Sequence, residues 1–196
     1  MSGCQNEEPV LKRAFDFLVA LVAAIVLSIP MLAVAIAVRL TSRGPALYWS
    51  SRVGRDNRNF AMPKFRSMRT DTPAVATHLL NNPEAYLTPI GPFLRRTSLD
   101  ELPQLWCILK GEMSLVGPRP ALFNQDELVA LRTERGVHTL LPGLTGWAQI
   151  NGRDELAIPE KVRLDEEYLH RHSLAFDLRI LLGTAAKVLG GRGVSH

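Results

Sequence analysis

From residue 17 to residue 38 the chain passes through 22 positions without a charged side chain, FLVALVAAIVLSIPMLAVAIAV. As one straight helix this stretch would be roughly 33 Å long, enough to cross the hydrocarbon core of a bilayer. It is too long for a cleaved signal peptide and lacks a small-residue cleavage site. Two features oppose a plain crossing. Ser28 and Pro30 stand in the middle, and a proline removes a backbone hydrogen bond and crowds the preceding turn, so a bend is expected there. Lys12 and Arg13 precede the stretch, and Arg39, Arg43, Arg52, Arg55 and Arg58 follow it, so the positive-inside rule draws both ends to one face. Three outcomes stay open on these grounds: a helix that breaks and returns, a single span, or a buried core helix. A break frees carbonyl groups that lipid cannot satisfy, and the Ser28 hydroxyl is the donor at hand.

The 196 residues suffice for one domain with a substantial core, and the composition changes after residue 39. The expected organisation is an N-terminal region over 1–39 and a globular region over 40–196. A net charge of +4 and a pI near 9.4 point to an anionic partner such as a nucleotide or an anionic lipid. No nucleic-acid-binding motif accompanies that charge, and the apolar stretch argues against nucleic acid as the partner. Cys4 and Cys107 have no paired spacing, which opposes a disulfide framework. His170 and His172 would point to different faces of a helix, so they do not make a zinc site.

Two short strands, 46–53 and 59–65, flank a turn at Gly54-Arg55-Asp56-Asn57. Around them Arg39, Arg43, Arg52, Arg55, Arg58, Lys64, Arg66 and Arg69 face a single acid, Asp56. Such a surface either snorkels toward lipid headgroups or, at Lys64 and Arg66, lines an anion site. A short helix is expected over 72–81. Arg95 and Arg96 then precede Ser98-Leu99-Asp100-Glu101, which reads as a helix start running to Leu109, with Ser98 as N-cap and Glu101 closing a capping box. Capping accounts for Glu101 but not for Asp100 or the two arginines. Adjacent acids repel, and a divalent cation with a phosphorylated ligand would relieve that repulsion.

Residues 113–120 form a short apolar strand entering a rigid turn, Pro118-Arg119-Pro120, where the prolines restrict the backbone and aim a guanidinium. That turn is either structural or a phosphate clamp. A helix over 123–135 stops at Gly136. Residues 141–153 combine three glycines with Thr145, Trp147, Gln149, Asn151 and Arg153, so a ligand can approach the backbone closely. This is neither a Walker A loop nor a Rossmann fingerprint. A charged helix over 159–170 and an amphipathic one over 174–189 follow. On residues alone, a membrane-anchored binder of anions and a membrane phosphatase or nucleotidyl transferase also fit.

Four segments in order, KFRSM (64–68), SLDELPQL (98–105), GEMSLVGPRP (111–120) and PGLTGWAQINGR (142–153), resemble the bacterial sugar transferase family. These are the monotopic phosphoglycosyl transferases, and the chain is similar to their small PglC-like members over nearly its whole length. The resemblance implies an α/β membrane-associated, monotopic domain. Its parts would be an N-terminal re-entrant helix-break-helix, a short β-hairpin and several amphipathic helices at the membrane interface. It implies transfer of a sugar-1-phosphate from a UDP-sugar to polyprenyl (undecaprenyl) phosphate with release of UMP. The setting would be the cytoplasmic face of a bacterial inner membrane among phospholipids, and a homodimer would be compatible with it. By the same resemblance Asp100 is the nucleophile forming an aspartyl phosphosugar, Glu101 is its partner as metal ligand or base, and both acids hold Mg2+. Lys64, Arg66, Arg95, Arg96, Pro118, Arg119, Pro120, Thr145, Gln149, Asn151 and Arg153 are the expected substrate-binding residues. Ser28 and Pro30 mark the helix break, although Ile29 separates a pair that is adjacent in the family pattern.

Overall fold

The apolar stretch is broken where its proline demands. In the computed structural model, which describes residues 10–73, 82–152 and 156–189, helices α1 (Val10–Val26) and α2 (Ser28–Thr41) meet at Leu27 with a bend of 60°. Pro30 lies in the first turn of α2, where a missing N–H breaks no intrahelical bond. The hydroxyl of Ser28 donates to the Ile25 carbonyl at 2.7 Å, taking up one acceptor freed by the break. Ile29 is accommodated by pointing outward, 78% exposed. Among the described residues no single helix is long and apolar enough to cross a membrane, while the bent pair together passes that test of length and composition.

Both ends of this pair are fixed to the same body. Near the start of α1, Lys12 is buried and donates to Ser114 Oγ and Asp177 Oδ2, each at 2.8 Å. Ser114 Oγ donates to Asp16 Oδ2 at 2.6 Å, and the Tyr168 hydroxyl to Asp177 Oδ1 at 2.7 Å. Arg13 donates to the carbonyls of Ile108 and Leu109, the last turn of α4 (Leu105–Lys110). The basic flank before the apolar stretch is thus engaged inside the protein, Lys12 by a buried carboxylate pair and Arg13 by a helix end. At the other end the Arg66 guanidinium donates to the carbonyls of Ser42, Arg43, Gly44 and Pro45, holding the turn that leads from α2 into the sheet.

The body is mixed α/β. Strands β1 (Leu47–Val53) and β2 (Asn59–Phe65) pair antiparallel with Val53 opposite Asn59, within a residue of the expected hairpin. Asp56 and Asn57 adopt positive φ in its turn, a conformation that short polar side chains tolerate. Pro63 sits on an edge strand, where its missing N–H costs no ladder bond. After α3 (Gly91–Thr97) and α4, the short strand β3 (Ser114–Val116) leads to β4 (Ala121–Leu122), which extends the hairpin sheet beside β1. Helix α5 (Asp126–Glu134) ends before Gly136, and β5 (Gly143–Thr145) pairs parallel with β3. That pairing needs glycine: a Cβ on Gly143 or Gly146 would lie 2.1 Å from a Gly117 backbone atom. Helices α6 (Trp147–Asn151), α7 (Ile158–Arg171) and α8 (Leu174–Leu189) complete the chain.

Ala20 of α1 packs in a core with Cys107, Ile108, Met113, Tyr168, Phe176 and Ile180, and Val34 and Val38 of α2 pack with Phe65 and Leu94. The opposite faces of α1 and α2 expose Leu18, Val22, Ile25, Val26, Leu32 and Ile36, and α8 exposes Leu178 and Leu182.

The helix expected from Ser98 to Leu109 is not continuous. Ser98 has φ 55° and closes α3 with its N–H on Arg95 O, and its side chain caps nothing. Leu99–Gln104 is a 3-10 helix, and α-helix begins only at Leu105. Pro103 is the local reason, because it supplies no N–H and disfavours the α conformation at Leu102. The start of α5 at Asp126, later than residue 123, follows from Gln125 Oε1 accepting the Leu122 N–H at 2.8 Å. The helix expected over 72–81 falls, from residue 74 onward, outside the described residues.

Replacing Lys12 by alanine strands Asp177 and Asp16 in a dry core, and we expect a loss of about 3–5 kcal/mol in unfolding free energy. Chemical denaturation in detergent micelles measures this. A loss below about 1 kcal/mol would mean that the pair behaves as a solvated one.

Candidate active site

Three elements deliver the site. β2 brings Lys64, the 3-10 helix brings Asp100 and Glu101, and the turn after β3 brings Arg119. At about three residues per turn, neighbouring side chains in a 3-10 helix diverge by about 120°, so adjacent acids face different surroundings. Glu101 Oε1 accepts from Lys64 Nζ at 2.9 Å and from an Arg119 terminal nitrogen at 2.7 Å. Burial pushes the Glu101 carboxyl upward, but the Arg119 and Lys64 charges outweigh it and hold it well below the usual carboxylate range. Lys64 is lowered by its own burial, against the pull of Glu101.

Asp100 differs. It is 5% exposed, and its Oδ1 is buried with no hydrogen-bond partner. Burial raises its pKa, with Glu101 adding repulsion and Lys64, Arg95 and Arg119 opposing. Asp100 lines a cavity of about 390 Å³ together with Lys64, Arg95, Arg119 and Gln149. That volume is in the range of pockets for cofactor-sized ligands.

The other expected residues divide by location. Arg95 borders the cavity and donates to Ser67 Oγ at 3.1 Å, and Pro120 borders it as well. Arg66 borders it too, but its guanidinium is committed to four carbonyls, so it fastens the α2–β1 turn instead of presenting a free anion clamp. Gln149 lies on the wall with both amide atoms buried and unpaired. Four residues do not line the cavity. Arg96 is exposed; Pro118 O accepts the Gly143 N–H; Thr145 Oγ1 pairs with Thr184 Oγ1 at 2.7 Å; and Asn151 Nδ2 closes α6 on Trp147 O. Arg153 lies outside the described residues. Ser28 and Pro30 stand at the helix bend, away from the cavity.

Sequence reasoning missed the residues that grip the Pro118-Arg119-Pro120 backbone. Arg132 donates to Arg119 O at 2.8 Å, and Arg52 to Pro120 O at 3.2 Å. An arginine on an amphipathic helix reads as a solvated face, so nothing in the pattern singled out Arg132.

Among the described residues no three His, Cys, Asp or Glu side chains cluster as a metal site. A magnesium ion does not require that many, because it is commonly held by one or two carboxylates with substrate phosphates completing its shell. The unpaired Asp100 Oδ1 beside Glu101 fits such a role.

The profile of the bacterial sugar transferase family matches residues 7–191. The chain is 40% identical over 191 residues to the UDP-glucose:undecaprenyl-phosphate glucose-1-phosphate transferase of Xanthomonas campestris pv. campestris, covering 92% of this chain and 39% of that protein. It thus spans well under half the length of that relative. It is 40% identical over 187 residues to the uncharacterized sugar transferase EpsL of Bacillus subtilis (strain 168), covering 95% of this chain and 91% of that one. The exopolysaccharide production protein PSS of Rhizobium leguminosarum bv. phaseoli is 40% identical over 195 residues, with 92% and 96% covered. With the profile spanning the helix pair, the two acids and the Arg119 turn alike, the chain belongs to the bacterial sugar transferase family.

Proposed function

We propose that this chain moves a sugar-1-phosphate from a UDP-sugar to polyprenyl phosphate at a membrane surface, releasing UMP. The Xanthomonas relative is named for the glucose form of that transfer to undecaprenyl phosphate. The observation that carries the proposal is the unpaired, buried Asp100 oxygen beside a Glu101 whose charge two cations already balance.

The chemistry follows from that division. Asp100, ionised and in need of no base, attacks the β-phosphorus of the donor. The bond from that phosphorus to the bridging oxygen breaks, and its electron pair leaves with UMP. An oxygen of polyprenyl phosphate then attacks the phosphorus of the aspartyl phosphosugar, and Asp100 departs as a carboxylate. One difficult transfer becomes two easier ones. Lys64 and Arg119 border the cavity as ordered cations, so they can stabilise charge on the transferring phosphoryl group without reorganising. Asp100 and Glu101 are the residues that would hold a magnesium ion, whose charge would offset repulsion between carboxylate and diphosphate. Arg95, at the same cavity, adds a third cation for a second phosphate.

The exposed apolar faces of α1, α2 and α8 support seating one side of the molecule in the cytoplasmic leaflet of a bacterial inner membrane. With Lys12 and Arg66 fastening both ends of the bent pair to one body, a re-entrant path fits better than a crossing.

Asp100→Asn removes the nucleophile. Intact-mass measurement after incubation with a UDP-sugar should show a phosphosugar adduct on the wild-type chain and none on the variant; an undiminished adduct on the variant would falsify the assignment.

The pH dependence follows from the Asp100 environment. Because burial raises its pKa, adduct formation fades as pH falls through a value above the ordinary carboxylate figure of about 3.9. Glu101 is held low and stays ionised across that range. In Lys64→Met the limb moves to higher pH, because the Lys64 charge favours ionised Asp100. A pH–rate profile of the donor half-reaction reads both effects, and a limb unmoved by Lys64→Met counts against Asp100 as the titrating group.

Chelation by EDTA should stop adduct formation and added magnesium should restore it. Full adduct yield in chelator would remove the metal from the scheme.

A further inference from the structure

The Arg119 side chain leaves a backbone held with unusual completeness. Prolines on both sides fix their own φ angles and restrict the residue before each, so Gly117 and Arg119 lose freedom as well. The peptide plane between Arg119 and Pro120 is held as well, because its carbonyl oxygen accepts from Arg132 at 2.8 Å. Arg132 is in turn clamped: its Nε and one terminal nitrogen both donate to Asp165 Oδ2, at 3.0 and 2.6 Å. The side chains of this pair are 9% and 1% exposed, and they join α5 to α7. An ion pair serving only to join two helices would need the two bonds to Asp165. The third bond reaches the turn that carries Arg119.

We infer that Arg132, aimed by Asp165, is a positioning residue for Arg119: it fixes the Arg119–Pro120 peptide plane and thereby sets the guanidinium against Glu101 and the cavity. Arg132 acts through Arg119 and not on the substrate. The catalytic consequence rests on the proposed phosphosugar transfer, whereas the positioning does not.

The test uses the full chain in detergent micelles. Arg132→Lys keeps a charge opposite Asp165 but lacks the planar fork with which Arg132 serves the carboxylate and Arg119 O together. We expect adduct formation from a UDP-sugar to slow about 10- to 100-fold in Arg132→Lys. The same change made in an Arg119→Ala background should cost less than about twofold, because the group being positioned is already gone. A merely structural Arg132 gives equal losses in both backgrounds, and that additivity would overturn the inference. If Arg132→Lys does not fold, Asp165→Asn replaces it in the same cycle.

A second readout needs no substrate. The Arg119 guanidinium signal in arginine side-chain NMR spectra, assigned by its loss in Arg119→Lys, should shift or broaden in the Arg132 variant. An unchanged signal overturns the positioning role. A changed signal in a protein whose wild type forms no adduct with any UDP-sugar upholds the positioning and sinks the transferase proposal instead.

Discussion

A single carboxylate oxygen, Glu101 Oε1, receives cations from two separate parts of the chain, Lys64 on β2 and Arg119 after β3. All three side chains are largely withdrawn from water, at 9% exposure for Glu101, 16% for Lys64 and 23% for Arg119. Removing one member would leave charge without its partner in a low-dielectric setting, which costs more than an exposed pair is worth. The position of Asp100 follows from that anchor. Once Glu101 is committed to the cations, the 3-10 geometry sends its neighbour elsewhere, and the neighbour is the acid whose Oδ1 is left without a partner at the cavity.

The apolar helix pair belongs to the same architecture. Its inner faces supply Ala20, Val34 and Val38 to two cores, and Lys12 reaches both Asp177 on α8 and the Val116 carbonyl at the end of β3. Val116 is the residue before Gly117-Pro118-Arg119, so the first turns of α1 and the arginine turn share a support. A helix pair that was merely appended to the rest of the body would not need this. Under the proposed function the arrangement has a purpose, since a nucleophile serving a soluble donor and a lipid phosphate must stand at a fixed height relative to the headgroups.

How far the sequence discloses this depends on the kind of information involved. The hairpin was legible because turn residues separate two runs of strand character, and β2 falls on the expected residues 59–65. Helix α8 likewise matches 174–189. The break shortly before Pro30 was legible because proline acts locally. Partners were not legible. Lys12 and Arg13 read as a basic flank and Arg66 as an anion ligand, yet each is engaged by groups far along the chain. Thr145 and Asn151 carry chemistry suited to a nucleotide, but Thr184 and the Trp147 carbonyl engage them. The pattern at Ser98–Glu101 meets the rule for a capping box, and the tertiary attraction of Lys64 and Arg119 for Glu101 overrides it. Residue type specifies what a side chain can do; only the fold decides which neighbour uses it.

Under the proposed function, the adjacent acids also resolve a conflict intrinsic to a carboxylate nucleophile that must receive an anionic diphosphate. Cations are required to attract the phosphates, but side-chain cations bonded to both oxygens of the nucleophile would leave neither free to attack. Here Glu101 takes the direct bonds, and Lys64, Arg95 and Arg119 reach Asp100 as a field that favours its ionised form. The cations are thus ordered before any ligand arrives, which is the condition under which electrostatic stabilisation costs no reorganisation. Burial works against ionisation of Asp100 and prevails in the net shift, so the carboxylate is kept less stabilised than one in water. In the proposed transfer, a poorly stabilised anion beside ordered cations would favour attack on an incoming phosphorus, and Glu101 would make that combination possible without serving as the nucleophile itself.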